Sequence, residues 1–289
     1  MIQDIGQGVY HNEYRPVPPS PESRVLSYRG RELLLRWEGS HISFLTYEEV
    51  ALEVPEMSEC WIYLFSMEDT SYYLLPELPA EAFEGASWEG IQTLRSAVPR
   101  VEAFAGVTGL QLHGWYRSRR FCPACGRPMV HADKERMMHC TVCGQIEYPK
   151  ICPAVIVGIV NGDRLLLTKY ADRDFKRYAL VAGYAEVGET IEETVHREVM
   201  EETGLKVKNL HYYKSQPWSF SDTLLFGFFA ELDGDPEVHL DDHELALARW
   251  CTRDEIPEDD GISLTREMMR VFKNYRPASE RADCDGEIR

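Results

Sequence analysis

Residues 183–205 read GYAEVGETIEETVHREVMEETGL, and their apolar residues recur at the spacing of an α-helix. The pattern predicts a helix over residues 190–203 that ends at Gly204, because glycine readily adopts the left-handed conformation that closes helices. At about 100° per residue, Glu202 falls on the apolar face of this helix. That face is formed by Ile191, Val195 and Val199. Burying an unpaired carboxylate costs several kcal/mol, so a glutamate at this position indicates a functional site.

Further carboxylates lie beside Glu202 on the predicted helix. Glu198 falls on the border of the apolar face, and Glu201 lies further round on the same side. Like charges three and four residues apart repel, and hard divalent cations such as Mg²⁺ or Mn²⁺ would neutralise them. We expect Arg197 to orient one of the glutamates. The competing interpretation is a surface helix held by salt bridges.

The whole stretch fits the pattern G-x5-E-x7-R-E-U-x-E-E-x-G-U, where U is an apolar residue, and so resembles the Nudix box. The matching positions are Gly183, Glu189, Arg197, Glu198, Val199, Glu201, Glu202, Gly204 and Leu205. Nudix hydrolases cleave nucleoside diphosphates linked to another group. The resemblance implies an α+β fold, a Nudix α/β/α sandwich with a mixed sheet.

The resemblance also implies the roles of five glutamates. Glu198, Glu201 and Glu202 would bind Mg²⁺ or Mn²⁺, and Glu189 would be a metal ligand or the general base. Glu244 precedes a late strand and matches a further glutamate of the family, although an ordinary loop acid would look the same.

Residues 121–149 contain two CxxC pairs separated by 14 residues. The pairs are Cys122 with Cys125 and Cys140 with Cys143. Four thiolates at this spacing predict a tetrahedral structural zinc site, with no position left open for catalysis. Disulfides or free thiols are the alternatives, and a reducing compartment disfavours disulfides.

The segment SQPWSFSDT, residues 215–223, follows the box by about ten residues. It is similar to the S-Q-P-W-P-F-P-x-S segment of Nudix enzymes that hydrolyse NADH, a group that includes enzymes removing NAD caps from RNA. The resemblance assigns substrate-binding roles to Gln216, Trp218, Phe220, Tyr184 and Tyr148. Two of the family's prolines are serines in this chain, which predicts a looser segment.

In this resemblance, Tyr184 and Tyr148 stack on the nicotinamide side, and Tyr148 comes from the partner subunit of a homodimer. Gln216 would hold the loop or the substrate. The alternative for Trp218 and Phe220 is a pair of aromatic side chains on one core face of a strand, because alternate residues of a strand share a face.

Composition and charge narrow the remaining possibilities. The chain has 289 residues and a formal net charge of −17, which repels nucleic acid at long range. Residues 117–136 reverse this sign with six basic against two acidic residues, a stripe that would suit phosphate contacts. No apolar run approaches the roughly 18 residues of a membrane span, and no secretory signal is visible. We expect a cytoplasmic protein without a membrane partner.

The chain divides into three predicted segments. Residues 1–115 contain strand-like pieces and a helical piece near 88–116, which indicates an N-terminal α+β domain. Residues 116–150 form the predicted zinc ribbon, and residues 151–289 the catalytic domain, which opens with a β-hairpin turning at Asn161–Gly162.

These features favour hydrolysis of NADH or NAD⁺ to the nicotinamide mononucleotide and AMP, with removal of NAD caps from RNA as a related activity. A hydrolase of ADP-ribose or of dinucleotides in general is an alternative. So is an inactive module that senses a dinucleotide, although such a module need not keep every glutamate of the box.

Overall fold

The structure is a computed structural model that describes residues 1–170, 178–239, 245–258 and 261–274. It forms two compact units. The N-terminal unit comprises residues 2–151 and 217–223. The C-terminal unit comprises Met1, residues 152–216 and the residues from 224 onward. The predicted division into three domains stays a prediction.

The N-terminal unit is built on an eight-stranded sheet. Its strands are β1 (Tyr10–His11), β2 (Arg24–Arg29), β3 (Glu32–Glu38), β4 (His41–Ser43), β5 (Leu45–Thr46), β6 (Ile62–Met67), β7 (Thr70–Leu75) and β8 (Ala86–Gly90). The order is β1-β6-β7-β2-β3-β4, with β5 beside β2 and β8 beside β3. The sheet is mixed, because β2 and β7 pair in parallel while the neighbouring pairs are antiparallel. The strand-like pieces predicted in this region are confirmed.

Three α-helices accompany this sheet. They are α1 (Tyr47–Glu53), α2 (Pro55–Ser58) and α3 (Arg100–Ser118). The predicted helical piece at 88–116 is wrong at its start, because residues 86–90 form a strand and 91–95 a short 3₁₀ helix. The helix begins only after Pro99, whose ring and missing N–H are incompatible with a helix interior.

The ribbon within the N-terminal unit has its own three-stranded antiparallel sheet. The strands are β9 (Val130–His131), β10 (Met138–His139) and β11 (Ile146–Glu147), in the order β11-β10-β9.

Within its described residues, the C-terminal unit is a six-stranded sheet between two helices. Its elements are β12 (Cys152–Asn161), β13 (Arg164–Tyr170), β14 (Val181–Tyr184), α4 (Ile191–Thr203), β15 (Val207–Trp218), β16 (Thr223–Leu232), β17 (Leu245–Thr252) and α5 (Leu264–Asn274). The sheet order is β15-β16-β12-β13-β17, with β14 paired to β12.

Alternation along β12 explains why both faces of this sheet are covered. Val155 and Val157 face the core that contains Val195 and Val199 of α4. Ile156, on the other face, belongs to the core that contains residues of α5. Because successive strand residues point to opposite faces, one apolar strand serves two helices. The predicted α/β/α sandwich is confirmed.

The hairpin of β12 and β13 turns one residue later than expected. Asn161 pairs with Arg164, so the two loop residues are Gly162 and Asp163. Gly162 has φ of +61°, a conformation that glycine adopts without a steric cost.

Among the described residues, none of the helices combines the length and the hydropathy that crossing a membrane requires.

The end of α4 offers a test of the packing. Gly204 closes the helix with φ of +69°, and a Cβ placed there would lie 3.1 Å from the Cβ of His239. Gly204→Ala should therefore lower the free energy of unfolding by about 1 kcal/mol or more, measured by thermal denaturation. The control is Gly114→Ala within α3, where a Cβ meets nothing within 4 Å. This control should raise the free energy of unfolding by about 0.5–1 kcal/mol. Equal changes in the free energy of unfolding at the two sites would contradict the assignment of Gly204 as the helix cap.

Candidate active site and zinc centre

Helix α4 is fixed at both ends by its own sequence. Thr190 accepts a hydrogen bond from the backbone N–H of Glu193, and the Glu193 carboxylate accepts one from the backbone N–H of Thr190. At the other end, the backbone N–H of Gly204 donates to the carbonyl of Met200. This reciprocal capping confirms the predicted helix and fixes the register of its glutamates.

Two of the glutamates lie on the inward face of α4. Glu202 is 2% exposed and Glu198 is 8% exposed. Val195 and Val199 on the same face are fully buried, as the predicted apolar face requires. The burial confirms that this helix is not a uniformly solvated surface helix.

Gly183 allows Glu198 to reach the strand β14. A Cβ at residue 183 would lie 1.9 Å from the Cδ of Glu198, far inside the contact distance of real atoms. The carboxyl group of Glu198 therefore lies directly against the backbone of β14. Any larger residue at position 183 would displace it.

Arg197 joins three of the glutamates through its guanidinium group. Its Nε donates to Oε1 of Glu189 at 2.5 Å. Its Nη1 donates to Oε1 of Glu198 at 2.7 Å and to Oε2 of Glu201 at 2.9 Å. Its Nη2 donates to the carbonyl oxygen of Tyr184 at 2.9 Å. Arg197 thus orients the carboxylates, as the sequence predicts, and also ties them to the end of β14.

Glu189 is held as a carboxylate by its surroundings. Hydrogen bonds from Arg197 and from the backbone N–H of Glu186 lower its pKa to about 2. The hydroxyl of Thr194 also donates to it, at 3.1 Å. Glu189 is therefore ionised at neutral pH and available as an oxygen ligand.

The residues of this cluster fit a divalent metal by their chemistry. Glu189, Glu198 and Glu201 share a single arginine, so these residues carry an excess of negative charge and offer only carboxylate oxygens. Glu201 has a side chain that is 60% exposed and open to an incoming ligand. Hard cations prefer such donors. Glu244 lies outside the described residues.

The four cysteines of the ribbon converge on one point. The Sγ atoms of Cys122, Cys125, Cys140 and Cys143 all lie within 4.8 Å of one another. Opposite thiols approach to 3.5 Å, from Cys122 to Cys143 and from Cys125 to Cys140. A tetrahedral ion with Zn–S bonds of about 2.3 Å requires S–S distances of about 3.8 Å, so the cluster fits zinc.

The chemical state of the thiols agrees with a zinc site. All four cysteines are free, with no disulfide between them. Gly126 and Gly144, each just after the second cysteine of a pair, have φ of +71° and +78°. The ribbon is therefore a structural zinc site.

Gln216 holds the backbone of the segment before α5. It is fully buried, donates to the carbonyl of Ile262 at 3.0 Å and accepts from the N–H of Leu264 at 2.6 Å. Of its two predicted roles, holding a loop or holding the substrate, these contacts supply the first.

Trp218 and Phe220 belong to the N-terminal unit. Phe220 is 5% exposed and Trp218 is half-buried, and their ring centroids are 4.8 Å apart. The guanidinium of Arg95 lies 4.9 Å from the Trp218 ring and 5.0 Å from the Phe220 ring. Arg31 donates to the carbonyl of Phe220 at 3.0 Å.

Arg31 and Arg95 were not predicted from the sequence. Arg31 contacts a residue 189 positions away, and no local pattern signals such a contact. The two arginines therefore restrain the segment in which two family prolines are missing. Ser221 adds to this restraint, because its Oγ lies 2.9 Å from Oγ1 of Thr223 and its N–H donates to the carbonyl of Trp218.

The two tyrosines predicted to stack on the substrate are exposed. Tyr184, at the end of β14 in the C-terminal unit, is 52% exposed. Tyr148, in the N-terminal unit, is 57% exposed, and its hydroxyl donates to Glu135 at 3.0 Å.

Two regions of the chain match models of known protein families. Residues 150–272 match the NUDIX domain, and residues 117–148 match the NADH pyrophosphatase zinc ribbon domain. The first match covers less than half of the chain, and the second covers the ribbon. The region similar to a NUDIX domain contains the glutamate cluster on α4, and the region similar to the zinc ribbon contains the four cysteines, as the sequence predicts.

Two curated relatives carry the same functional name. The NAD-capped RNA hydrolase NudC of Citrobacter koseri is 44% identical over 149 residues, or 52% of this chain and 58% of that protein. The enzyme of the same name from Salmonella heidelberg shows the same identity and coverage. The alignment thus spans less than two thirds of these relatives. A NUDIX hydrolase structure from Nitrosomonas europaea covers 53% of this chain and 90% of its own, with 22% identity and a TM-score of 0.47.

The zinc site predicts one tightly held zinc per chain. Elemental analysis after dialysis should find it, and Cys140→Ser should reduce it to less than about a tenth, because one of four ligands is lost. Cys60→Ser removes an exposed cysteine outside the cluster and is the matched control. Zinc-free protein with paired cysteines would contradict the assignment.

The contacts of Arg95 with Trp218 and Phe220 predict that this arginine restrains residues 217–223. Arg95→Gln removes two cation–π contacts of about 0.5–1 kcal/mol each, so hydrogen exchange in this segment should accelerate about fivefold to tenfold or more. Arg29→Gln removes the similar contact of Arg29 over Trp88, at 4.9 Å, and should leave the segment unchanged. Equal exchange in both variants would show that Arg95 does not restrain the segment.

Proposed function

We propose that this chain hydrolyses the diphosphate bond of NADH or NAD⁺, giving the nicotinamide mononucleotide and AMP, and removes NAD caps from RNA by the same reaction. The observation that carries the proposal is the glutamate cluster around Arg197, with Glu198 and Glu202 buried on one face of α4. The NADH pyrophosphatase type of the ribbon and the name of the relatives support the choice of substrate.

The glutamates would hold Mg²⁺ or Mn²⁺. Glu198, Glu201 and Glu202 are the proposed ligands, with Glu189 as a further ligand or the base. Divalent cations bound there would neutralise the substrate diphosphate and lower the pKa of a bound water. The choice between the two metals is open to direct test.

The protein residues position the reacting groups. Arg197 orients Glu189, Glu198 and Glu201 through its hydrogen bonds, so these carboxylates are positioned before substrate arrives. A water oxygen attacks one phosphorus atom, and the P–O bond to the bridging oxygen breaks. The proton of the water passes to a carboxylate, for which Glu189 and Glu244 are the candidates, and the bridging oxygen leaves on the other nucleotide.

The nicotinamide would be held by aromatic residues. The exposed ring of Tyr184 supports this role, because stacking on a flat ring requires an accessible face. We propose that Tyr148 of the partner subunit provides the second face in a homodimer. Trp218, Phe220 and Gln216 are the further residues proposed for substrate binding.

A broader substrate range is the second candidate. Ser219 and Ser221 stand where the family segment has prolines, and the contact of Ser221 with Thr223 replaces only part of that rigidity. Such a segment would admit ADP-ribose and other dinucleotides. Parallel turnover of NADH, NAD⁺, ADP-ribose, diadenosine compounds and NAD-capped RNA, each with Mg²⁺ and with Mn²⁺, separates the two candidates. Absence of turnover for every substrate would favour a dinucleotide sensor.

Glu202 gives the sharpest test of the chemistry. Glu202→Gln keeps the side-chain shape but removes a charge, so turnover of NADH should fall about 10-fold to 100-fold or more, the usual loss at metal sites. Glu192→Gln changes an exposed glutamate in the first turn of α4 and should leave turnover unchanged. Both variants should show wild-type thermal unfolding. A Glu202→Gln enzyme with more than about a tenth of wild-type turnover would rule out Glu202 as a ligand.

A further inference from the structure

A cleft of about 580 Å³ lies within the N-terminal unit, lined by the strands β6 and β7, by α3 and by the ribbon. Its apolar lining includes Ile62, Leu74, Met129 and Met138. Its volume lies within the range of small-ligand sites, about 300–1,000 Å³, and is ample for a nucleoside unit. None of its residues belongs to the glutamate cluster or to the four zinc ligands.

Two arginines of the basic stripe line this cleft. Arg117 and Arg120 are both exposed, and within the described part of the chain neither forms an ion pair. Arg119, which lies between them in sequence, pairs instead with Glu147 at 2.8 Å. Two guanidinium groups are therefore available at the cleft, and guanidinium groups bind phosphate oxygens in a bidentate manner.

The other ionisable groups of the cleft do not offset these two charges. Glu77 contributes one carboxylate to the lining. Burial, together with the nearby Arg117, lowers the pKa of His113, so this imidazole is neutral at pH 7. The cleft thus keeps a net positive charge in a chain whose formal net charge is −17.

Phe121 adds an aromatic surface beside the arginines. Its side chain is 58% exposed although it lines the cleft. A β-bridge to Pro128 fixes its backbone. An exposed aromatic ring and arginines in a cleft with an apolar lining are the combination by which proteins bind single-stranded nucleic acid without strict sequence preference.

Because the chain as a whole is strongly acidic, RNA binding requires a local basic site. A net charge of −17 gives no long-range attraction to RNA, so binding must come from a confined basic surface. A lipid surface or an acidic peptide would use the arginines but would leave Phe121 and the nucleoside-sized cleft without a purpose.

We propose that this cleft binds single-stranded RNA, with one base on Phe121 and adjacent phosphates on Arg117 and Arg120. The proposal rests on the NAD-cap removal in the proposed function, because it assigns a site to the RNA that follows the cap.

The test measures binding of a short, labelled, single-stranded oligoadenylate with a 5′ hydroxyl, by fluorescence anisotropy without divalent cations. For Arg117→Gln with Arg120→Gln, the affinity should fall about 25-fold at about 0.1 M salt. The slope of log K against log salt should become shallower by about 1.4, since each phosphate contact contributes about 0.7 for single strands. Phe121→Ala should weaken binding by about fivefold or more, the low end for a base stacked on an aromatic ring.

The control is Arg15→Gln with Lys206→Gln, two exposed basic residues outside the cleft, which gives the same change in net charge. This control should bind the oligoadenylate as the wild type does, and turnover of NADH should be unchanged in all variants. Because the probe carries no diphosphate bond, its binding can be read even if the chain does not hydrolyse NADH.

Three results would overturn the proposal. One is equal RNA affinity for the cleft variant and the control. Another is that the double variant Arg117→Gln with Arg120→Gln and the single variant Phe121→Ala both lose RNA binding only to the extent that they lose folded structure. The third is that the variant with both arginines replaced loses affinity for NADH but keeps its affinity for RNA. That result would assign the cleft to a small dinucleotide.

Discussion

The contact of Arg197 with Glu189, Glu198 and Glu201 is the interaction on which the candidate active site depends. Carboxylates on the inward face of a helix repel one another and lose hydration, so they need a compensating charge. A planar guanidinium with several donors can serve three of them at once. Gly183 completes this arrangement, because only a residue without a Cβ leaves room for the carboxyl group of Glu198 against β14.

The surrounding fold holds this cluster rigidly. Val195 and Val199 pack α4 onto one face of the sheet, while α5 covers the other. The caps at Thr190 and Gly204 fix both ends of the helix. A site mounted on a capped, packed helix keeps its geometry better than one on a free loop, and precise placement is the main requirement for phosphoryl chemistry.

The N-terminal unit contributes more than a scaffold. Arg31 and Arg95 hold the segment 217–223, which belongs to this unit although the flanking residues belong to the Nudix unit. The zinc ribbon lines one side of the cleft that contains Arg117 and Arg120. Zinc binding, segment restraint and the RNA site proposed above therefore depend on one folded unit.

The sequence by itself determined the features that arise from local spacing. The helix over 191–203, its buried glutamate and the four-cysteine cluster follow from periodicity, capping and ligand spacing, which act over a few residues. Tertiary structure alone decided the placement of the Glu198 carboxyl group against Gly183 and of the arginines around Phe220. Each of these depends on residues that are distant in sequence and meet only when the sheets are formed, so no local pattern contains them.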